Sequence, residues 1–473
     1  MTNQFRFVLE RGKIFICFFL AASFFLGCVF SVNAQGAPGT DTERQTSLRL
    51  TPETAVDMAI KNNLMLEMAR LGADIKYRKA RFVWNEFLPT FTATGTLARS
   101  NWPISSIPQW NLLGSLQAEL YLSFAIIPGI RSFLKEYEAG RITFEKAKLQ
   151  MEQGVRKMYN GILLLEANVA LLNDSYKNAI AQANMAEANF RAGLAPRLVW
   201  LQAQVAVENM KPSINDLENT LKDLKGNFAL LLGMSFDAAF DLEPIALNAD
   251  FIPPDMEEFI ARAASGKPDI KELQANIVTM LTQQKAARLQ AFTPFILFNW
   301  TMSALFDPTL DPLNENWFTQ SNWIKGGTGG AGGAFSITVG VSINSLFPFT
   351  KEGQQRKDLA AGIQIQNIAL AQMIRETELE VFTKINSLEK IRASKDAQQA
   401  TVNMAEQSYR LTLEAYRAGL QDFQSVQNAR LASDQAKVQL LTQQFNYSND
   451  LIDLEYSIGV PFGTLSGNKG SEK

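Results

Sequence analysis

Two short strings, FRAGLAPR at Phe190–Arg197 and YRAGLQDF at Tyr416–Phe423, write the same aromatic-Arg-Ala-Gly-Leu turn into one chain, 226 residues apart from Gly193 to Gly419. Each turn ends a very long stretch of helical character. No proline occurs between Gly129 and Arg191, and Val155, Met158, Ile162, Leu165, Val169, Leu172 and Tyr176 recur at helical spacing. Lys351 to Arg417 is built the same way, through Ile368, Leu379, Phe382, Ile385 and Leu388. At 1.5 Å per residue, a helix of about 60 residues spans roughly 90 Å. No ordinary globular domain holds such a helix, so long coiled-coil-like packing is expected. Glycine at each turn supplies a tight reversal, through φ > 0 or a close backbone approach. Shorter return helices are expected over about Pro196–Leu232 and Asp422–Ile458, the first of them kinked at Pro212.

The repeat reaches well beyond the turns. With Gly193 set on Gly419 and no gap, Ala203 meets Ala429, Val205 meets Leu431, Ala206 meets Ala432 and Gly233 meets Gly459. Upstream, Lys61–Gly95 corresponds to Gly266–Trp300 at a different offset, with Pro89 and Pro294 each standing where a helical pattern gives way to alternation. This is a duplication into two units of one architecture. The first unit is expected over 35–250, with a β-hairpin at about 89–125, a long helix, a tip at 192–195 and a return helix. The second runs over 251–465, with its hairpin at about 294–346 and its tip at 418–421, leaving a tail at 466–473.

Four segments switch to a period of two. Thr90, Thr92, Thr94 and Thr96 alternate with Phe91, Ala93, Gly95 and Leu97, and Gln117, Glu119, Tyr121 and Ser123 alternate with Leu116, Ala118, Leu120 and Leu122. Asn299, Thr301 and Ser303 stand opposite Phe298, Trp300 and Met302, and Ser336 to Asn344 alternate with Phe335 to Ile343. Half-buried soluble strands alternate like this. So do strands of membrane barrels, about ten residues long with one apolar face. Four strands cannot close a membrane barrel, and an open edge is not tolerated in lipid, so in the second case several chains must share one barrel. The connections 101–113 and 307–333 carry Trp102, Trp110, Trp317 and Trp323, which suits loops beside a bilayer interface. The helices' polar faces, rich in Gln, Asn, Ser and Ala, fit either a solvated surface or packing around a water-filled lumen.

The N-terminus reads as a secretory leader. Arg6, Arg11 and Lys13 precede an apolar run from Ile14 to Phe30, and Val32-Asn33-Ala34 offers a cleavage site, giving a signal peptide over 1–34. An uncleaved anchor and lipidation at Cys28 are the alternatives. Removing the leader removes Cys17 and Cys28, the only cysteines of a chain that has no histidine. Thiol nucleophiles, imidazole bases, disulfides and the usual zinc ligands all go with them, so no metal or cofactor is expected. The formal net charge of −2 becomes −4 without the leader, which argues against nucleic-acid binding.

The ordered motifs complete a family pattern. Leu48, Leu50, Ala55, Val56, Ala59, Asn62 and Asn63 open it, Leu88-Pro89 follows at the helix-to-strand change, and then come FRAGL, YRAGL and Ser425–Leu440. In these features the chain resembles the TolC-like outer-membrane efflux proteins over essentially its whole mature length. The resemblance implies a mainly α fold with a small β part. Duplicated long-helix hairpins would form a trimeric α-helical barrel, and four strands per chain would enter a 12-stranded outer-membrane β-barrel. It further implies a homotrimer in the outer membrane of a Gram-negative-type bacterium, extending into the periplasm. Such a duct passively exports what an inner-membrane pump of RND or ABC type and a periplasmic adaptor deliver, as in tripartite efflux or type I secretion. Leu194 and Leu420, beside Gly193 and Gly419, would be exposed contacts for the adaptor. Many members place acids six or nine residues beyond the second tip glycine, where this chain has Ser425 and Asn428, with Val199 and Gln202 in the first half. The nearest carboxylate is Asp422, where three copies would make a ring and set any charge selectivity of the aperture, and Tyr416 would help latch neighbouring helices. Two other readings compete: a structural coiled-coil protein without a pore, and an exported enzyme. Glu257-Glu258, a candidate acid pair for the latter, are adjacent in sequence and do not face each other on a helix. No phosphate-binding glycine loop is present, so a duct would draw its energy from a partner.

Overall fold

Each long helix stops where its glycine stands. The computed structural model describes residues 48–99, 110–244, 256–306, 331–343 and 347–465. The leader with Cys17 and Cys28, the tail from 466, and Trp102, Trp317 and Trp323 lie outside the described residues. The chain runs twice through the order β-α-α-β-β-α-α. The first run is β1 (Leu48–Leu50), α1 (Pro52–Asn62), α2 (Leu64–Arg81), β2 (Thr90–Arg99), β3 (Trp110–Ser123), α3 (Ile126–Arg191) and α4 (Arg197–Leu231). The second is β4 (Phe240–Leu242), α5 (Met256–Gly266), α6 (Pro268–Phe292), β5 (Phe295–Phe306), β6 (Ala331–Gly340), α7 (Lys351–Arg417) and α8 (Phe423–Ile458).

The long helices have 66 and 67 residues, so each spans roughly 100 Å. Helix α4 runs through Pro212 without ending. A proline removes one i→i−4 bond, which neighbouring bonds and packing on α3 outweigh. Helix α1 starts at a Thr51–Thr54 capping box with Pro52 in its first turn, and Asn63 caps α2 by accepting from the Met65 and Leu66 N–H groups. The Asn63 amide also donates to the Leu231 carbonyl at 2.8 Å, tying α2 to the end of α4.

The duplication is visible in the packing. One core gathers Val155, Tyr159, Ile162, Phe228 and Leu232; the other gathers Val381, Ile385, Leu388, Leu454 and Ile458. Every residue of the second set stands 226 positions after its counterpart in the first. Ala55 and Ala59 on α1 are matched by Phe259 and Ala263 on α5, at an offset of 204. The prolines ahead of β2 and β5 sit at 205 instead. The extra residue is taken up where a 3-10 turn over Val83–Phe87 follows α2, while α6 runs on unbroken.

The short strands β1 and β4 were not legible in the sequence. They pair in parallel, Leu48 with Phe240 and Leu50 with Leu242. The Tyr159 hydroxyl lies 2.8 Å from the Leu50 carbonyl and 2.7 Å from that of Glu243, clamping this ribbon to α3. Burial pushes the Tyr159 phenol up to about 12, so it remains a donor.

The remaining four strands form one antiparallel sheet in the order β2-β3-β5-β6. Strands β3 and β6 begin earlier than their alternation suggests, at Trp110 and Ala331. Both stretches are glycine-rich or lack alternation, and the ladder to β5 carries each of them.

Candidate functional site

Two regions carry the features expected of a duct: the helix tips and the sheet. At the first tip, the Leu194 N–H donates to the Asn189 carbonyl at 2.8 Å and the Gly193 N–H to Phe190 at 3.0 Å. At the second, Leu420 donates to Ala415 at 2.8 Å and Gly419 to Tyr416 at 3.0 Å. Both are Schellman ends, and they require a left-handed residue. Gly193 and Gly419 supply it with φ of 71° and 74°. A Cβ added at either would meet nothing within 4 Å, so it is conformation and not close approach that calls for glycine there. In this motif the residue after the glycine often packs back on the last helical turn. Here Leu194 and Leu420 are 79% and 78% exposed.

Behind the glycines the two tips share a small core. Ala186 of α3, Ala203 of α4 and Phe423 of α8 are buried together, with Val199 and Tyr416 packed against them. The Tyr416 and Phe423 rings meet edge-on at 6.0 Å, and burial pushes the Tyr416 phenol up. At the first tip Phe190 stacks on Trp200 at 5.5 Å. Asp422 caps α8, accepting from the Ser425 N–H at 2.7 Å, and the hydrogen bonds with Ser425 hold its carboxyl below the usual value. Asn428 and Gln202 are exposed, Asn428 accepting from Gln424 at 3.1 Å. The fold therefore brings Tyr416 and Val199 to one cluster and joins Asp422 to Ser425.

Two further features of the helices emerge in the folded chain. Leu198, Leu201 and Val205 continue from Leu194 as an exposed apolar stripe on α4. Their spacing of three to four residues was available as a signal. The second feature is a polar seam on α3 facing the other repeat. Lys146 pairs with Asp269 and Glu272 on α6, at 2.8 and 2.7 Å. Gln153 and Lys157 bond Asp453 of α8 at 2.9 and 2.8 Å, and Asn160 donates to Asn449 at 2.9 Å. Ser175 donates to Asp434 at 2.6 Å, and the buried Gln182 donates to Tyr409 and accepts from Gln427. Lys146, Gln153 and Asn160 are seven residues apart, as in a coiled-coil seam, and so are Ser175 and Gln182. Part of the neutral polar composition of these helices thus serves contacts between the repeats.

The sheet separates its residues by face. Phe91, Ala118, Trp300 and Phe335 are paired in one row across all four strands, and Leu120, Phe298 and Ile337 in another. The neighbouring rows on the opposite face are Thr90, Glu119, Asn299 and Ser336, then Thr92, Gln117, Thr301 and Ala334. Large side chains of the apolar face stand in the open, Phe91 at 77% and Val339 at 68%. The outer edges of β2 and β6 have no partner strand within the described chain. Among the described residues, no helix is long and apolar enough to cross a membrane.

Comparisons with known proteins agree with these features. Residues 55–234 match the model of the family described as outer membrane efflux protein. No curated protein sequence matches. Among solved structures, CusC, described with transmembrane channel formation, superposes with a TM-score of 0.71 at 17% identity, over 91% of this chain and 96% of its own. The outer membrane protein VceC of Vibrio cholerae gives 0.68 at 16%, over 87% and 96%, and the CmeC outer membrane channel of Campylobacter jejuni gives 0.68 at 17%, over 86% and 85%. At such identities the likeness is one of fold. Residues 55–234 thus match the outer membrane efflux protein family, and most of the chain shares the fold of these outer membrane channels.

Proposed function

We propose that three copies of this chain close a twelve-stranded barrel in the outer membrane, continued by a helical tube into the periplasm. The duct would be the passive exit of a tripartite efflux or type I secretion system. The observation that carries this reading is the sheet with one apolar face and two open edges. Neither the exposed apolar face nor the free edges suit a lone chain in water, and free edges do not suit lipid. Because the strands alternate in direction, β6 of one copy meets β2 of the next antiparallel, and a ring of three removes every edge. Chemistry by the chain itself has no part in this reading. Energy and cargo come from an inner-membrane transporter of RND or ABC type, handed over through a periplasmic adaptor.

The tips are the proposed adaptor contact. The Schellman ends explain Gly193 and Gly419 but leave Leu194 and Leu420 bare, and the stripe Leu198–Leu201–Val205 extends the apolar surface along α4 in the way a helical partner requires. Replacing Leu194 and Leu420 together by aspartate should leave the amount of protein in the outer membrane unchanged. Adaptor capture should weaken by at least about tenfold, roughly 1.4 kcal/mol, and export should be lost. Normal export and capture by that variant would remove the tips from the contact.

A further inference from the structure

The polar face of the sheet holds one charge. Among the described residues of that face every side chain is uncharged except Glu119 on β3. Its carboxylate has Gln117 as a side-chain neighbour, Nε2 to Oε2 at 3.5 Å, and forms no ion pair among the described residues. Directly opposite on β5 stands Asn299, whose Oδ1 is buried and has no hydrogen-bond partner. Two oxygen acceptors thus sit side by side on the wall, one of them charged, with no cation paired to it among the described residues. The pair stands near the helical end of the sheet, four residues or about 13 Å from Ser123, the last residue of β3.

We infer that Glu119 sets the charge selectivity of the pore. The inference rests on the trimeric duct reading, in which the polar face lines the lumen and Glu119 appears three times at one level. Three like charges on a low-dielectric wall attract small cations and repel anions over about one Debye length. That length is about 30 Å at 0.01 M salt and about 3 Å at 1 M, so the preference should depend strongly on salt. The tip acid Asp422 is the alternative source, but one of its oxygens is committed to the Ser425 N–H.

The test is conductance of the purified full-length protein in planar bilayers under potassium chloride gradients. The wild type should pass potassium over chloride by about threefold or more near 0.01 M, and show little preference near 1 M. Glu119→Gln should conduct with a ratio near one at both salt levels, Glu119→Asp should keep the preference, and Glu119→Lys should reverse it. A conducting Glu119→Gln channel with wild-type selectivity would overturn the inference and leave the duct standing. So would a wild-type preference that is anionic or insensitive to salt, a result that needs no variant. Absence of any conductance in the wild type would remove the duct reading, and the inference with it.

Discussion

Replacing Gly459 by alanine should cost about 3 kcal/mol or more, whereas the same change at Gly419 should cost about 1–2 kcal/mol. The two positions have the same backbone, both at φ 74°, and both close a Schellman end. They differ in surroundings. A Cβ at Gly419 meets open space, so only the left-handed conformation is penalised. A Cβ at Gly459 would lie 2.3 Å from the Gly266 carbonyl oxygen and 2.7 Å from its carbon, and backbone cannot rotate aside as a side chain can. The end of α8 would have to lift from the end of α5, opening the core of Phe259, Leu454 and Ile458. Thermal melting of the extracted protein, followed by loss of helical signal, reads the difference. Equal losses at the two positions would show that the α5–α8 junction is not tightly held.

Asp453→Ala should loosen the joint between the repeats by about 2 kcal/mol, below the roughly 3–5 kcal/mol of a fully buried pair because Lys157 is 40% exposed. Asp453 is bonded by Lys157 of the first repeat and Lys384 of the second, at 2.8 Å each. Removing it leaves two ammonium groups facing each other, with Asp450 still 2.7 Å from Lys384. Burial alone would push the Asp453 carboxyl up, but the hydrogen bonds from Lys157 and Lys384 outweigh it and hold the group below its ordinary 3.8. A depressed folded value means that this stability is fully present above pH 3.8 and is lost as pH falls through the folded value. Wild-type melting should therefore drop more steeply below about pH 4 than that of Asp453→Ala. Parallel acid profiles for the two proteins would exclude Asp453 as the source.

These two sites also show what the sequence could and could not tell. The 226-residue offset that aligns Gly193 with Gly419 also aligns Val155 with Val381 and Phe228 with Leu454, so the helical architecture followed from a repeat visible in the letters. The same offset sets Lys384, Asp450 and Asp453 against Met158, Leu224 and Asn227. No pattern in the second repeat announces that its polar version faces Lys157 of the first, because a salt bridge between repeats leaves no local periodicity. The ribbon of β1 and β4 was hidden for a related reason: three residues are too few to alternate. At the tips, the glycines and exposed leucines were legible from their duplication. The role of Asp422 as a helix cap follows from its place just ahead of α8, three residues before the N–H it accepts.

The proposed duct requires the open sheet to be one third of a closed barrel. Electron-microscope imaging of protein extracted from outer membranes tests it most directly. Three copies about one axis are expected, with twelve strands inside the detergent belt and a helical tube extending roughly 100 Å beyond it. A single chain, or a helical rod whose sheet lies outside the detergent belt, would contradict it.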